Sequence, residues 1–372
     1  MNLSYWELDT YFRNVDFTII GSGIVGLSTA YHLKLKYPEA KILVLEKGIL
    51  PEGASTKNAG FACFGTLSEI LWYLESNPVE EIYRLVERRW KGLQKLRKLL
   101  GDQKIDFHSW GGYEVFRNQD REMMEKSLDQ IDEINQWIFP IFDAKSFKKS
   151  NQNFGFQNTI GMIETSFEGQ IHTGKMMKAL LALVQSKGIG VLNNMKVSNL
   201  SDLENFVELE LNNKFKLKSK KVMLCTNAFT QQLYDLDVVP ARAQVLVTKP
   251  IEDLKLKGCF HMDEGFYFFR NIGNRILFGG GRNLDIHGET TTEFGTTDLI
   301  QNQLETYLKE IILPGESFEI EHRWSGIMGM GAHRNPIVKQ LSENVYCGVR
   351  LTGTGIAIGS LVGEELADMV NY

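Results

Sequence analysis

Gly21, Gly23 and Gly26 form a G-x-G-x-x-G step that follows a β-branched run at 17–20 and opens an apolar helical pattern over 24–35. The chemistry this spacing allows is anion binding. Gly21 permits a tight turn, Gly23 lets a phosphate come up against the backbone, and Gly26 lets the helix sit close to the strand. The first helical amides, including those of Ile24 and Val25, then face the anion. A second β-rich run at 41–45 ends on Glu46 and Lys47, with Glu46 twenty residues past Gly26. A carboxylate there can accept from a ribose diol and repels a 2′-phosphate, which argues against NADP. Strand, helix and acid in register favour a dinucleotide with an ADP half over a mere glycine-rich turn. NAD and FAD both qualify.

Two further stretches favour FAD. "PEGASTKNAGFACFG" (51–65) places Ala54, Ser55, Thr56, Lys57, Asn58, Ala59 and Gly60 where an NAD-only fold would proceed to a simple crossover. Its polar side chains could donate to a pyrophosphate, and Gly60 allows close approach to a flat ring. In "CGVRLTGTGIAIGSLVGEEL", Gly353, Thr354, Gly355 and Ile356 open an apolar helix. Its free amides and positive end suit negative charge on the N1/O2 edge of a reduced flavin and offer little to NAD. The plain alternatives are a long surface loop and a buried, glycine-punctuated helix.

An amino-acid substrate would need a cation for its carboxylate, and Arg242, Arg270, Arg282, Arg323 and Arg350 are the candidates. Arg350 stands out because it lies between the final β-rich run and the flavin-facing glycines, with Arg270 next. Tyr267, in "GFYFFR", could close a pocket over the ring; a core aromatic and a structurally paired arginine are the alternative readings. His172 and His333 read as cap or surface residues. Cys63 has no base partner in the sequence and reads as a small packed residue.

Elements able to hold these residues can be read from periodicity. A βαβ unit opens the chain; amphipathic helices are expected over 78–100 and 121–138, with a strand in "GGYEVFRN" between them. A helix, glycine turn and strand follow from 173, then a hairpin and the buried strand "KVMLCTNA". Residues 238–278 are strand-rich, a helix is expected over 298–311, and the strand "NVYCGV" precedes the last helix. The fold expected is α/β: a discontinuous Rossmann-like FAD-binding domain (1–68, 157–232, 322–372) with a second α+β substrate domain on a mixed or antiparallel sheet (69–156, 233–321).

The bulk composition sets bounds on partners. With 41 basic and 46 acidic residues among 372, the net charge of −5 favours neither nucleic acid nor an anionic membrane. Four separated cysteines show no metal-ligand spacing, and neither a signal peptide nor a membrane span is evident, so no metal and a cytoplasmic location are expected.

"TIIGSGIVGLSTAYHL…VLEK", "GASTKNAGF" and "RWSGIMG…NPIV…GTGIAIGSLVGEELA" together resemble the D-amino-acid oxidase family of FAD-dependent oxidoreductases over nearly the whole chain. The resemblance implies a flavin lying against the substrate domain's sheet. It implies that Val197 contacts adenine through its backbone, that Thr226, Asn227 and Ala228 form a turn near FAD, and that Gly326 is at the cofactor. Two departures stand out. Some members link FAD to a cysteine, and "GIMGMGAHRNP" has none, so a non-covalent flavin is expected. Some members carry a lysine near flavin N5, where "RILFGGG" has Leu277. The activity implied is oxidation of a small amine or amino acid, by hydride transfer from the carbon next to nitrogen, with oxygen or another acceptor. A 2-hydroxy-acid oxidase and a flavin-binding relay subunit are the alternatives.

Overall fold

The computed structural model describes residues 2–371. Val15–Ile20 and Ile42–Leu45 are almost wholly buried, the pattern of parallel strands covered on both faces rather than one. They pair in parallel with each other; Phe215–Leu224 joins the outer side of the first, and Gly190–Leu192 that of the second. Val345–Val349 pairs in parallel with Phe215–Leu224 and carries Ile337–Gln340 antiparallel at the edge. Val197–Leu203 and Phe206–Leu211 complete this eight-stranded sheet as a meander leading into Phe215–Leu224.

Two helices lie on this sheet, and a third packs on them. Ile24–Lys36 and Gly355–Met369 lie so close that a Cβ on Gly363 would come within 2.8 Å of the Val25 carbonyl oxygen. Gly26 is equally constrained: a Cβ there would fall 1.9 Å from the Gly21 carbonyl oxygen. At the far end the Lys36 ammonium donates to the Asp368 and Val370 carbonyls, a cation at a helix C-terminus. The long helix Val79–Leu100, expected among the substrate-domain elements, packs on the terminal helix instead. Ser360 Oγ donates to Gly92 O at 2.9 Å, and Arg88 pairs with Glu365 across the contact.

The second sheet also has eight strands, in the order Ile320–Met330, Val239–Thr248, Arg275–Gly280, Tyr267–Ile272, Cys259–Met262, Gly112–Arg117, Thr159–Thr165 and Lys148–Lys149. Only the Cys259–Met262 to Gly112–Arg117 pairing is parallel, so the sheet is mixed, as expected. Two of its strands, Thr159–Thr165 and Ile320–Met330, lie wholly or mostly in stretches expected in the FAD-binding domain. Their backbone hydrogen bonds are to Gly112–Arg117 and Val239–Thr248, strands of this second sheet. The helix expected over 121–138 runs on as Arg121–Phe142, past Pro140, and ends where Asp143 turns left-handed.

Candidate functional site

A cavity of about 360 Å³ opens between the C-terminal ends of the parallel strands and the second sheet. The helix Ile24–Lys36 points its N-terminus into it. Its N-cap, Gly23, has no side chain to cap with, and Ser55 Oγ accepts from the Ile24 amide at 2.9 Å. A Cβ on Gly23 would meet that Oγ at 2.9 Å. The terminal helix Gly355–Met369 opens onto the same cavity, again without a side-chain cap, because Thr354 Oγ1 is turned back to the Leu351 carbonyl. Two helix N-termini converging on one cavity, beside a run of glycine backbone, is a donor set suited to an anionic dinucleotide.

Glu46 ends the second strand at the cavity wall. Its Oε2 accepts from the Ser22 amide at 3.1 Å and hydroxyl at 3.0 Å, and its Oε1 from the Gly48 amide at 3.1 Å. The carboxylate is therefore fixed in place by the glycine loop. Gly21, Gly23, Ile24, Val25, Lys47, Ala54, Ser55, Lys57, Asn58, Ala59 and Gly60 also line the cavity, with Val197, Thr226, Asn227, Ala228, Gly326 and Gly353 to Ile356. Asn227 Oδ1 accepts from the Arg350 and Leu351 amides, tying the turn after one strand to the turn before the terminal helix. Gly26 is set back from the cavity in the helix–strand contact. Thr56 is not in the lining either; its hydroxyl donates to the Pro51 carbonyl and is not available as a donor to a phosphate.

The three residues expected to act on substrate are not in the lining. Arg350 is buried with a left-handed φ of 63°, paired to Asp237 and donating to the Asn335 carbonyl. Arg270 is buried in the wall behind Ala59 and Gly60, donating to the carbonyls of Ala59 and Ile171 and to Gln170 Oε1; burial pushes its pKa down to about 10. Tyr267 packs edge-on to Tyr307 in the core of the second sheet. Leu277 is buried beside Ala59 and Val245. Arg242 pairs with Glu289 and Arg323 with Glu305.

Of the five candidate arginines only Arg282 lines the cavity, and Arg334, which the sequence did not single out, joins it there. Neither is in an ion pair among the described residues. Burial lowers the Arg282 pKa, and the positive charge of Arg334 adds to that, so two guanidinium groups share one stretch of wall. Arg334 lies over the rings of Trp72, at 4.7 Å, and Tyr73, at 5.1 Å.

Opposite chemistry gathers around His261, also in the lining. Its Nε2 lies 3.1 Å from Glu168 Oε2. Burial would lower the imidazole pKa, but the charge and hydrogen bond of Glu168, helped by Glu69 and Glu114, outweigh it and raise the pKa. Burial pushes Glu114 up to about 7, against hydrogen bonds from Ser68. The side-chain ends of Cys63, Glu168 and His261 lie within 4.8 Å of one another. The fold thus gives Cys63 neighbours that its sequence surroundings do not. Burial first, then Glu168, holds its thiol well above the usual range, so it is a neutral thiol and not a nucleophile.

Glycine-led helix starts, an acid at the second strand and a mixed sheet over the cavity define a dinucleotide-binding oxidoreductase. The model of the family described as FAD dependent oxidoreductase (DAO) matches residues 16–369, and the chain belongs to that family; FAD is its cofactor. It is 21% identical to a probable oxidoreductase OrdL of Haemophilus influenzae, covering 97% of this chain and 84% of that protein. It is 24% identical over 282 residues to a D-amino acid dehydrogenase of Helicobacter pylori, covering 64% of this chain and 67% of that protein. The fold is shared with a glycine oxidase of Bacillus cereus (TM-score 0.76, 17% identity, 95% and 94% of the two chains). It is shared as well with an L-proline dehydrogenase of P. horikoshii (TM-score 0.75, 16% identity, 96% and 93%). Among the described residues no helix is long and apolar enough to cross a membrane.

Proposed function

We propose that this protein oxidises a small amino acid or a carboxylate-bearing amine at the carbon next to nitrogen. The observation that carries this reading is the pair Arg282 and Arg334 on the cavity wall without carboxylate partners. Two unpaired guanidinium groups, close enough that the charge of Arg334 helps lower the Arg282 pKa, leave a half-buried site in want of an anion, and a bidentate carboxylate answers that need. Also in the lining, Glu69, and His261 held by Glu168, supply the electronegative surroundings that suit an amine. The named activities of a D-amino acid dehydrogenase and a glycine oxidase among its relatives point the same way.

FAD, when bound, supplies a two-electron acceptor for the substrate hydride, and the imine so formed is hydrolysed. The chain's part is to bind and orient. The glycine loop and the two open helix ends hold the anionic cofactor, with Glu46 positioned at a ribose. Arg282 and Arg334 fix the substrate carboxylate, while Phe61, Phe266 and Phe268 keep the wall apolar and exclude water. The flavin is held non-covalently, and Arg350 and Arg270 brace the wall from behind.

The test is an anaerobic panel of amino acids, their decarboxylated amines and 2-hydroxy acids, read by bleaching of bound flavin. Bleaching by one or more amino acids, and not by the matching decarboxylated amines, is expected. Bleaching by 2-hydroxy acids alone would turn the reading to alcohol oxidation, and no bleaching by any compound would turn it to a relay subunit.

A further inference from the structure

An amino acid arrives at neutral pH as an ammonium, which has no lone pair to support loss of a hydride from the neighbouring carbon. A proton must leave first, and the cavity wall contains one arrangement built to take it. We propose that His261 accepts this proton at Nδ1 and that Glu168 is the positioning residue behind it. This rests on the reading of the cavity as an amino-acid or amine site.

Among the described residues Nδ1 makes no hydrogen bond, whereas Nε2 is held by Glu168 at 3.1 Å. The second carboxylate oxygen of Glu168, Oε1, is buried and without a partner, and the residue is 1% exposed. Glu168 thus has one conspicuous use in the fold, at His261. With the Nε2 proton directed at the carboxylate, the neutral ring turns the Nδ1 lone pair away from Glu168. This is a base oriented by a third group, the general form of an activated acid–base site. In the transfer the substrate N–H bond breaks and its electron pair stays on nitrogen. A new N–H bond forms at Nδ1, and the imidazolium is balanced by the carboxylate already beside it.

The charged and titratable groups around the ring come from every neighbouring element. Glu114 is its register partner on the adjacent strand, Glu69 stands on the helix Leu67–Leu74 with Arg89 behind it, and Cys63 lies beside Glu168. These carboxylates, Glu168 foremost, outweigh burial and raise the His261 pKa, so the free base that can take the proton grows as pH rises.

The experiment uses the FAD-loaded enzyme, the His261→Asn and Glu168→Gln variants, and an amino acid that bleaches the unsubstituted protein. Flavin content equal in all three is the check on folding. His261→Asn should bleach about 100-fold more slowly at neutral pH, the usual worth of a positioned base. The deficit should close to within a few-fold at a pH where the substrate is already a free amine. Independently of turnover, one histidine NMR resonance, absent from His261→Asn, should titrate above the ordinary value of about 6.5 and move downward in Glu168→Gln. A rate for His261→Asn equal to wild type, a deficit constant with pH, or a His261 titrating at or below the ordinary value would each overturn the proposal. If no amine bleaches even the unsubstituted enzyme, the reading of the cavity fails and the acceptor role falls with it. If amines bleach it and His261→Asn alike, only the acceptor role falls.

Discussion

Arg270→Met tests the division between arginines that build the site and arginines that serve it. The guanidinium donates to three buried acceptors, the carbonyls of Ala59 and Ile171 and Gln170 Oε1. Each orphaned acceptor costs about 1–3 kcal/mol, so the gross loss is about 3–9 kcal/mol. Part is offset, because the cation is itself held at a desolvation penalty, its pKa pushed down to about 10, and methionine replaces its stem with apolar contacts. The net destabilisation expected is about 2–4 kcal/mol, which for a chain of this size lowers the melting temperature by roughly 5 °C. The loss should be local. Ala59 and Gly60 line the cavity, and the Ile171 amide donates to Gly60 O at 2.9 Å, so loosening this seam should weaken FAD binding about tenfold. Arg270→Lys keeps the charge but cannot reach all three acceptors, and should fall between the two. Thermal unfolding with and without added FAD, and FAD titration of the apoprotein, measure both effects. A variant of unchanged stability and FAD affinity, with KM raised only for carboxylate substrates, would refute the assignment and return Arg270 to the substrate.

Two further predictions follow from single contacts. Gly23→Val places a branched side chain where even a Cβ meets Ser55 Oγ at 2.9 Å, at the mouth of the helix Ile24–Lys36. The purified variant should be colourless and folded by circular dichroism, and a yellow variant with full flavin content would break the link between this loop and FAD. Burial lifts the Glu114 carboxyl from an ordinary 4.5 in the open chain to about 7 when folded, so the fold favours its protonated form. Stability is therefore lost as pH rises from about 4.5 through about 7, by about 1–3 kcal/mol. Glu114→Gln should melt close to wild type at pH 5 and above it at pH 8; parallel melting curves at both pH values would show that Glu114 is charged in the fold.

The cofactor half of the site was legible because its signals are local. A strand, a glycine turn and a helix start occupy adjacent residues, and the backbone itself is the donor group, so Gly21, Gly23 and Gly353 to Ile356 could be placed at the cavity from the sequence. The substrate half is assembled from side chains far apart in the chain. His261 and Glu168 come from different strands and loops, and Arg334 lies over Trp72 from a distant part of the chain, so no periodicity joins them. A histidine inside the buried strand Cys259–Met262 was the one available hint, since an ionisable group there needs a partner. Which sheet two of the strands join was not legible for a related reason. Thr159–Thr165 and Ile320–Met330 look like strands from sequence, but which sheet they join depends on edges made elsewhere.

The arginines show why nearness in sequence to a cofactor motif misleads. A segment that wraps a cofactor has irregular backbone, and irregular backbone leaves carbonyls without ladder partners. An arginine beside such a segment is the nearest multi-donor group and is consumed there. Arg350 binds the Asn335 and Asp237 carbonyls beside its own turn, and Arg270 the Ala59 and Ile171 carbonyls. Both become keystones of the wall because they stand where the sequence suggested they would bind substrate. Free positive charge has to come from residues whose local carbonyls are already satisfied. Arg282 follows the strand Arg275–Gly280, whose backbone is paired on both sides, by Tyr267–Ile272 and by Val239–Thr248. Its guanidinium has no such carbonyls to serve and is left to the cavity. On this logic Arg282→Met should leave melting temperature and flavin content near wild type while raising KM for an amino-acid substrate at least tenfold, the inverse of the Arg270→Met pattern. A destabilised Arg282→Met with unchanged KM would mean that the unpaired cation is structural after all.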